Sequence, residues 1–201
     1  MNMEHFRMGT AALLLAAIIY FVADMDKILA VLIPAAVHEL GHIFTLRLLG
    51  LRIKGFRAEL KGFCICYYGY TGALGHALAA ASGPMSGLLY AMAASVMGER
   101  LVSSWLELSA GVSLLLSLFN LLPALPLDGG RIVYAFSGIF LHEAAAVRLC
   151  NILGLATGGV LLLCGVWLML KGYGLAMALA AVWLLAYVGF ENQLYCCREI
   201  I

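Results

Sequence analysis

The sequence predicts an all-α polytopic membrane protein of about six transmembrane helices, with a small membrane-surface β-hairpin between spans two and three. Three observations carry this expectation. Hydrophobic residues make up 64 % of the 201 residues and charged residues 11 %, and the mean hydropathy is +1.01, outside the range of soluble globular domains. The apolar residues fall into runs long enough to cross about 30 Å of hydrocarbon at a rise of 1.5 Å per residue. Between the second and third runs the pattern changes to a period of two. The length suits one membrane domain without an appended soluble module. The six cysteines (Cys64, Cys66, Cys150, Cys164, Cys196, Cys197) show no secreted disulfide spacing and read as reduced.

The first span is expected from Met8 to Ala23. Phe21-Val22-Ala23 offers one small residue where a cleavable signal wants two, so it reads as a retained helix. Asp24, Asp26 and Lys27 make a polar turn, and the second span runs from about Ile28 to Leu49. Within it, one turn after Pro34, stands His38-Glu39-Leu40-Gly41-His42, an HExxH motif. On a helix, residues four apart share a face, so both imidazoles can meet one metal ion while Glu39, about 100° round, reaches the water beside it. Zinc in a hydrolytic site takes a third protein ligand and leaves one position for water. Three ionisable side chains in a span are costly, which argues for a partner or a purpose; packed histidines closing a salt bridge with Glu39 are the plain alternative. Pro34 frees the carbonyl of Ala30, either opening space for water near His38 or simply kinking the helix.

From Arg47 to Tyr70 the helical pattern breaks. Arg52, Lys54, Arg57, Glu59 and Lys61 alternate with Leu51, Ile53, Phe56, Ala58 and Leu60, with a phase shift at Gly55 that predicts a bulge. Gly62 turns the chain into a second strand, Phe63 to Tyr68. Such a hairpin either pairs with an extended substrate segment or lies as a basic loop against lipid headgroups. The third span, about Gly72 to Met97, carries Ala79, Gly83 and Gly87 at four-residue spacing, a small-residue face expected to pack on the motif helix. His76 reads as interfacial. The fourth span runs from about Leu101 or Val102 to Phe119.

Asn120 to Arg131 (NLLPALPLDGGR) cannot continue a helix, because two prolines three apart precede paired glycines. Irregular backbone at membrane depth is tolerated only beside protein or a water-filled cavity. Asp128, the only aspartate after Asp26, is the candidate third ligand; alternatively it caps a helix starting at Gly129 or pairs with Arg131. Asn120 offers an amide to a substrate carbonyl, or to carbonyls freed by the prolines. Residues 132 to 141 are too short to span and suggest an interfacial or re-entrant piece. A fifth span from Val147 to Leu170 and a sixth from Tyr173 to Phe190 complete the chain.

With six spans both termini share a side. That side carries Arg7, Arg47, Arg52, Lys54, Arg57, Lys61, Arg131, Arg148 and Arg198, against Lys27, Arg100 and Lys171 opposite, which predicts termini and active site toward the cytoplasm of a bacterial cell membrane. His42 and Asp128 then fall on the same membrane face. The basic residues border lipid, and no direct nucleic-acid partner is expected.

HELGH in an early span, Ser82-Gly83-Pro84 in a middle one and the Asn-x-x-Pro-x-x-Pro-x-Asp-Gly-Gly-Arg segment later resemble the site-2 protease family of intramembrane zinc metalloproteases. The resemblance implies that His38, His42 and Asp128 hold Zn2+, that Glu39 is the general base, and that Asn120 belongs to the active-site segment. It implies a membrane-associated protein substrate and inhibitory membrane partners. The PDZ and CBS domains of many relatives are not seen. The wording from Leu122 to Arg131 is similar to the sporulation-protease branch, which processes a precursor sigma factor. The rival readings are an intramembrane metal transporter and a catalytically inactive membrane scaffold.

Overall fold

A computed structural model describes residues 7–8, 24–59, 62–69, 71–172 and 174–188. Its elements in chain order are β1 (Arg7–Met8), α1 (Met25–Leu48), β2 (Arg52–Glu59), β3 (Gly62–Tyr68), α2 (Ala73–Leu101), α3 (Ser104–Asn120), α4 (Asp128–Phe140), α5 (Glu143–Leu170) and α6 (Ala176–Val188). Helices α1, α2 and α5 are long and apolar enough to cross a membrane, whereas α3 has 17 residues and α6 has 13. The first predicted span lies outside the described residues except for Met8, which belongs to β1 instead of a helix. Two residues paired in a sheet leave no periodic signal for a sequence reading to find.

The bundle is built for lipid. Its buried positions are mostly small or weakly polar, including Ala30, Gly83, Gly87, Ser109, Ser113 and Ser117. Its exposed ones are large and apolar, such as Phe44, Leu48, Leu89, Leu115, Leu163 and Leu170. With hydrocarbon as solvent, burying leucine gains little, and small residues that let backbones approach hold helices together.

The buried side of α1 is Ala30, Pro34, His38, His42 and Leu46, one residue every four, so the motif histidines sit on the line that faces the bundle. That line meets α2 very closely. A Cβ at Gly41 would run into the Ser86 side chain and Ser82 O, and the Ser86 hydroxyl donates to Val37 O at 3.0 Å. The small-residue face of α2 does not serve the motif helix alone, as the sequence predicts. Gly83 lies against His42, but Gly87 lies against Ser117 and Ser113 of α3. A stripe of small residues identifies close packing, not which neighbour is packed.

The hairpin forms with its predicted bulge: Ile53 pairs with Tyr67 and Gly55 with Cys66, so the register shifts between them. The second strand begins at Gly62, one residue before the expected Phe63. β1 adds in parallel to the other edge of β2, with Arg7 opposite Arg57, giving a sheet of order β1-β2-β3. His76 at the start of α2 meets Tyr67 Oη at 3.2 Å, tying the hairpin to the bundle.

Between α3 and α4 the chain turns through residues 121–127. Leu127 and Ala124 are buried against Leu184 of α6, with Phe119, Leu122, Leu161 and Trp183 around them. α4 starts at Asp128, with Leu127 as its N-cap, one residue earlier than the alternative start at Gly129. The two glycines then fit where nothing larger would. A Cβ at Gly129 would strike the carbonyls of Leu121 and Leu122, and one at Gly130 the main chain of Ala124 and Leu125. Its 13 residues, about 20 Å of helix, are too short to span, in keeping with a re-entrant or interfacial piece.

Candidate metal centre

His38 and His42 come from one line of α1, one turn apart; Asp128 comes from the first residue of α4, delivered by the glycine-packed turn. The three meet. His38 Nε2 and His42 Nε2 lie 3.1 and 3.2 Å from Asp128 Oδ2, and 3.3 Å from each other. All three residues are at most 8 % exposed. Among the described residues this is the one group of three or more ligating side chains close enough to share an ion.

The donor set fits a tetrahedral cation. Bonds of 2.0–2.1 Å from zinc to nitrogen or oxygen require ligand atoms about 3.3 Å apart, close to the three separations found. The tautomer of His42 fits as well. Its Nδ1–H donates to Ala79 O at 2.7 Å, which leaves Nε2 with its lone pair toward Asp128. Imidazole lone pairs and a carboxylate oxygen aimed at one point repel unless a proton or a metal cation lies among them. Asp128 Oδ1, the oxygen turned away, accepts from Arg131 Nη1 at 3.5 Å. The sequence alternative of an Arg131 pair is thus realised together with the histidine contacts, one oxygen for each.

Glu39 is half-buried on α1, next in sequence to His38 and on the adjoining face. Asn120 ends α3, and its Nδ2–H donates to Leu116 O at 3.0 Å within the same helix, instead of to a carbonyl freed by the prolines. At the polar end of α1, Asp24 is held below the usual carboxylate range by hydrogen bonding and charge from Lys27, an exposed pair at 2.6 Å remote from the centre.

Two features escape the sequence reading. Gly83 leaves the space that the His42 ring occupies; a Cβ there would fall on the imidazole. Ser109, Ser113 and Ser117, four apart on α3, are fully buried beside α2. Their spacing is visible in the sequence and marks a polar line inside a span, which is the signal that finds them.

Residues 70–164 match Peptidase family M50. That stretch holds Ser82-Gly83-Pro84 and Asp128 and begins after the histidine motif. The chain is 32 % identical over 132 residues to "Putative zinc metalloprotease Rip3" of Mycobacterium tuberculosis in two strains, covering 60 % of this chain and 33 % of that protein. It therefore spans about a third of the length of the curated relatives it matches. In structure it is similar to the Site-2 Protease from Methanocaldococcus jannaschii, with a TM-score of 0.66, 17 % identity, and coverage of 88 % of this chain and 83 % of that one.

Proposed function

We propose that the chain, whose residues 70–164 match peptidase family M50, is a zinc metalloprotease of the site-2 protease family that hydrolyses a peptide bond in a membrane-associated protein. The observation that carries this reading is the meeting of His38, His42 and Asp128 inside an apolar bundle, with Glu39 beside them. In it His38, His42 and Asp128 would hold Zn2+, which when bound would supply the Lewis acidity that activates water near neutral pH and polarises a carbonyl. Glu39 takes the proton that water gives up on attack and returns it to the leaving amine. Asn120 orients the substrate, leaving its bond to Leu116 O to do so.

Helical peptide bonds are hydrogen-bonded and hidden, so the scissile segment must first be extended. β2 is paired on both sides, whereas β3 pairs on one side among the described residues, and its outer edge suits an extended guest strand. The wording from Leu122 to Arg131 supports a finer reading, in which the substrate is a precursor transcription factor. The pairing of Arg7 with Arg57 supports the same-side topology used to orient termini and centre toward the cytoplasm.

The test is co-expression of the chain with epitope-tagged membrane proteins, wild type against Glu39→Gln, followed by identification of fragments lost and precursors retained with the variant. Cleavage that persists in Glu39→Gln rejects the mechanism. A transporter would instead move zinc across vesicles, and a scaffold would hold partners without cutting them.

A further inference from the structure

Among the described residues, two buried side-chain polar atoms have no hydrogen-bond partner, His38 Nδ1 and Ser117 Oγ. Each is the exception in a set whose other members are satisfied. His42 Nδ1–H has Ala79 O. On α3 the hydroxyl of Ser109 meets that of Tyr90 at 2.8 Å, and Ser113 donates to Gly87 O at 2.8 Å. Buried polar groups are paired as a rule, and an exception calls for an explanation.

The two atoms lie at one level of the bundle. α1 and α2 run antiparallel, since Val37 meets Ser86 while Gly41, one turn on, meets Ser82, one turn back. Gly83 and Gly87 share a face of α2, the first against the His42 ring and the second against Ser117 Oγ. His38 is one turn before His42, which brings it level with Gly87. α1 and α3 also pack on each other directly.

The tautomer fixes the direction of the bond. For His38 Nε2 to turn a lone pair toward the point it shares with Asp128 and His42, the proton must sit on Nδ1, and a buried N–H needs an acceptor. A serine oxygen has two lone pairs. Resting on the zinc reading above, we infer that Ser117 is a positioning residue for His38. Its oxygen accepts the Nδ1–H, after rotation about χ1 or through one water, and so holds the ring with Nε2 toward the metal. Ala79 O does the same for His42 from α2. Such partners of ligating histidines set ring orientation and raise ligand basicity.

The experiment uses the full chain purified in detergent, with Zn2+ as the probe. Its dissociation constant is measured by competition with a chromophoric chelator, and Co2+ in place of zinc gives the ligand-field spectrum. Ser117→Ala weakens zinc by about 10- to 100-fold and shifts the cobalt bands, while thermal unfolding of the metal-free protein stays within a few degrees of wild type. Ser113→Ala removes a neighbouring hydroxyl bonded to Gly87 O and leaves zinc affinity unchanged. Wild-type affinity in Ser117→Ala, or an equal loss in both variants, overturns the inference. His38→Ala separates this outcome from failure of the zinc reading. If wild type binds zinc and His38→Ala does not, that reading stands whatever Ser117→Ala does, and a wild type that binds no zinc overturns both.

Discussion

His42 Nδ1–H donates to the main-chain carbonyl of Ala79 at 2.7 Å, and this bond between two helices decides which imidazole nitrogen faces Asp128. The acceptor is backbone, so no side-chain deletion removes it. The same carbonyl takes the Ser82 hydroxyl at 2.7 Å, which ties the histidine to the Ser82-Gly83-Pro84 turn of α2. What the sequence can disturb is the space the ring occupies.

Gly83→Ala tests that space. A methyl group there falls on the His42 ring, which must rotate away and give up its place beside Asp128. Zinc content after dialysis is expected to fall by at least about 10-fold, as for loss of a ligand's support. Gly111→Ala on α3, whose Cβ meets nothing within 4 Å, is expected to keep full zinc content. Equal retention in both variants would contradict the geometry.

Glu39→Gln separates chemistry from metal binding. The amide keeps the size of the side chain and cannot take a proton, so cleavage is expected to drop by roughly 10²- to 10⁴-fold with zinc retained. Inductively coupled plasma mass spectrometry and a cleavage assay on the same preparation check both halves.

Gly130→Ala acts at the turn that delivers Asp128. Its Cβ meets main chain at Ala124 and Leu125, which cannot yield as a flexible side chain would. Overpacking of this kind costs about 1–3 kcal/mol, and Asp128 is two residues away. Both a lower melting temperature and reduced zinc content are expected. A lower melting temperature with unchanged zinc content would uncouple the turn from the centre.

Asn120→Ala asks what the amide does. Its side chain bonds Leu116 O and makes no hydrogen bond to His38, His42 or Asp128, so zinc content is expected to stay at the wild-type level. A role in orienting substrate predicts cleavage slower by about 10²-fold. An unchanged rate would confine Asn120 to the end of its own helix.

Much of this was legible because membrane sequences are constrained so tightly. A four-residue interval put His38 and His42 on one face, and broken helix around Pro123 and Pro126 singled out Asp128. The alternation around Gly55 located a bulge that the strand register contains. Other features had no local signal. The carbonyl of Ala79 looks like any other, and whether Gly87 faces α1 or α3 depends on where a third helix lies. The pairing of Arg7 and Met8 with β2 joins segments about fifty residues apart through backbone groups that every sequence carries.

X-ray absorption at the zinc edge of the purified protein asks the decisive question, namely which atoms hold the ion. Two imidazoles and carboxylate or water oxygens at about 2.0–2.1 Å are expected, with one imidazole lost in His42→Ala. Protein that binds no stoichiometric zinc, or zinc with sulfur neighbours at about 2.3 Å from its cysteines, would contradict it.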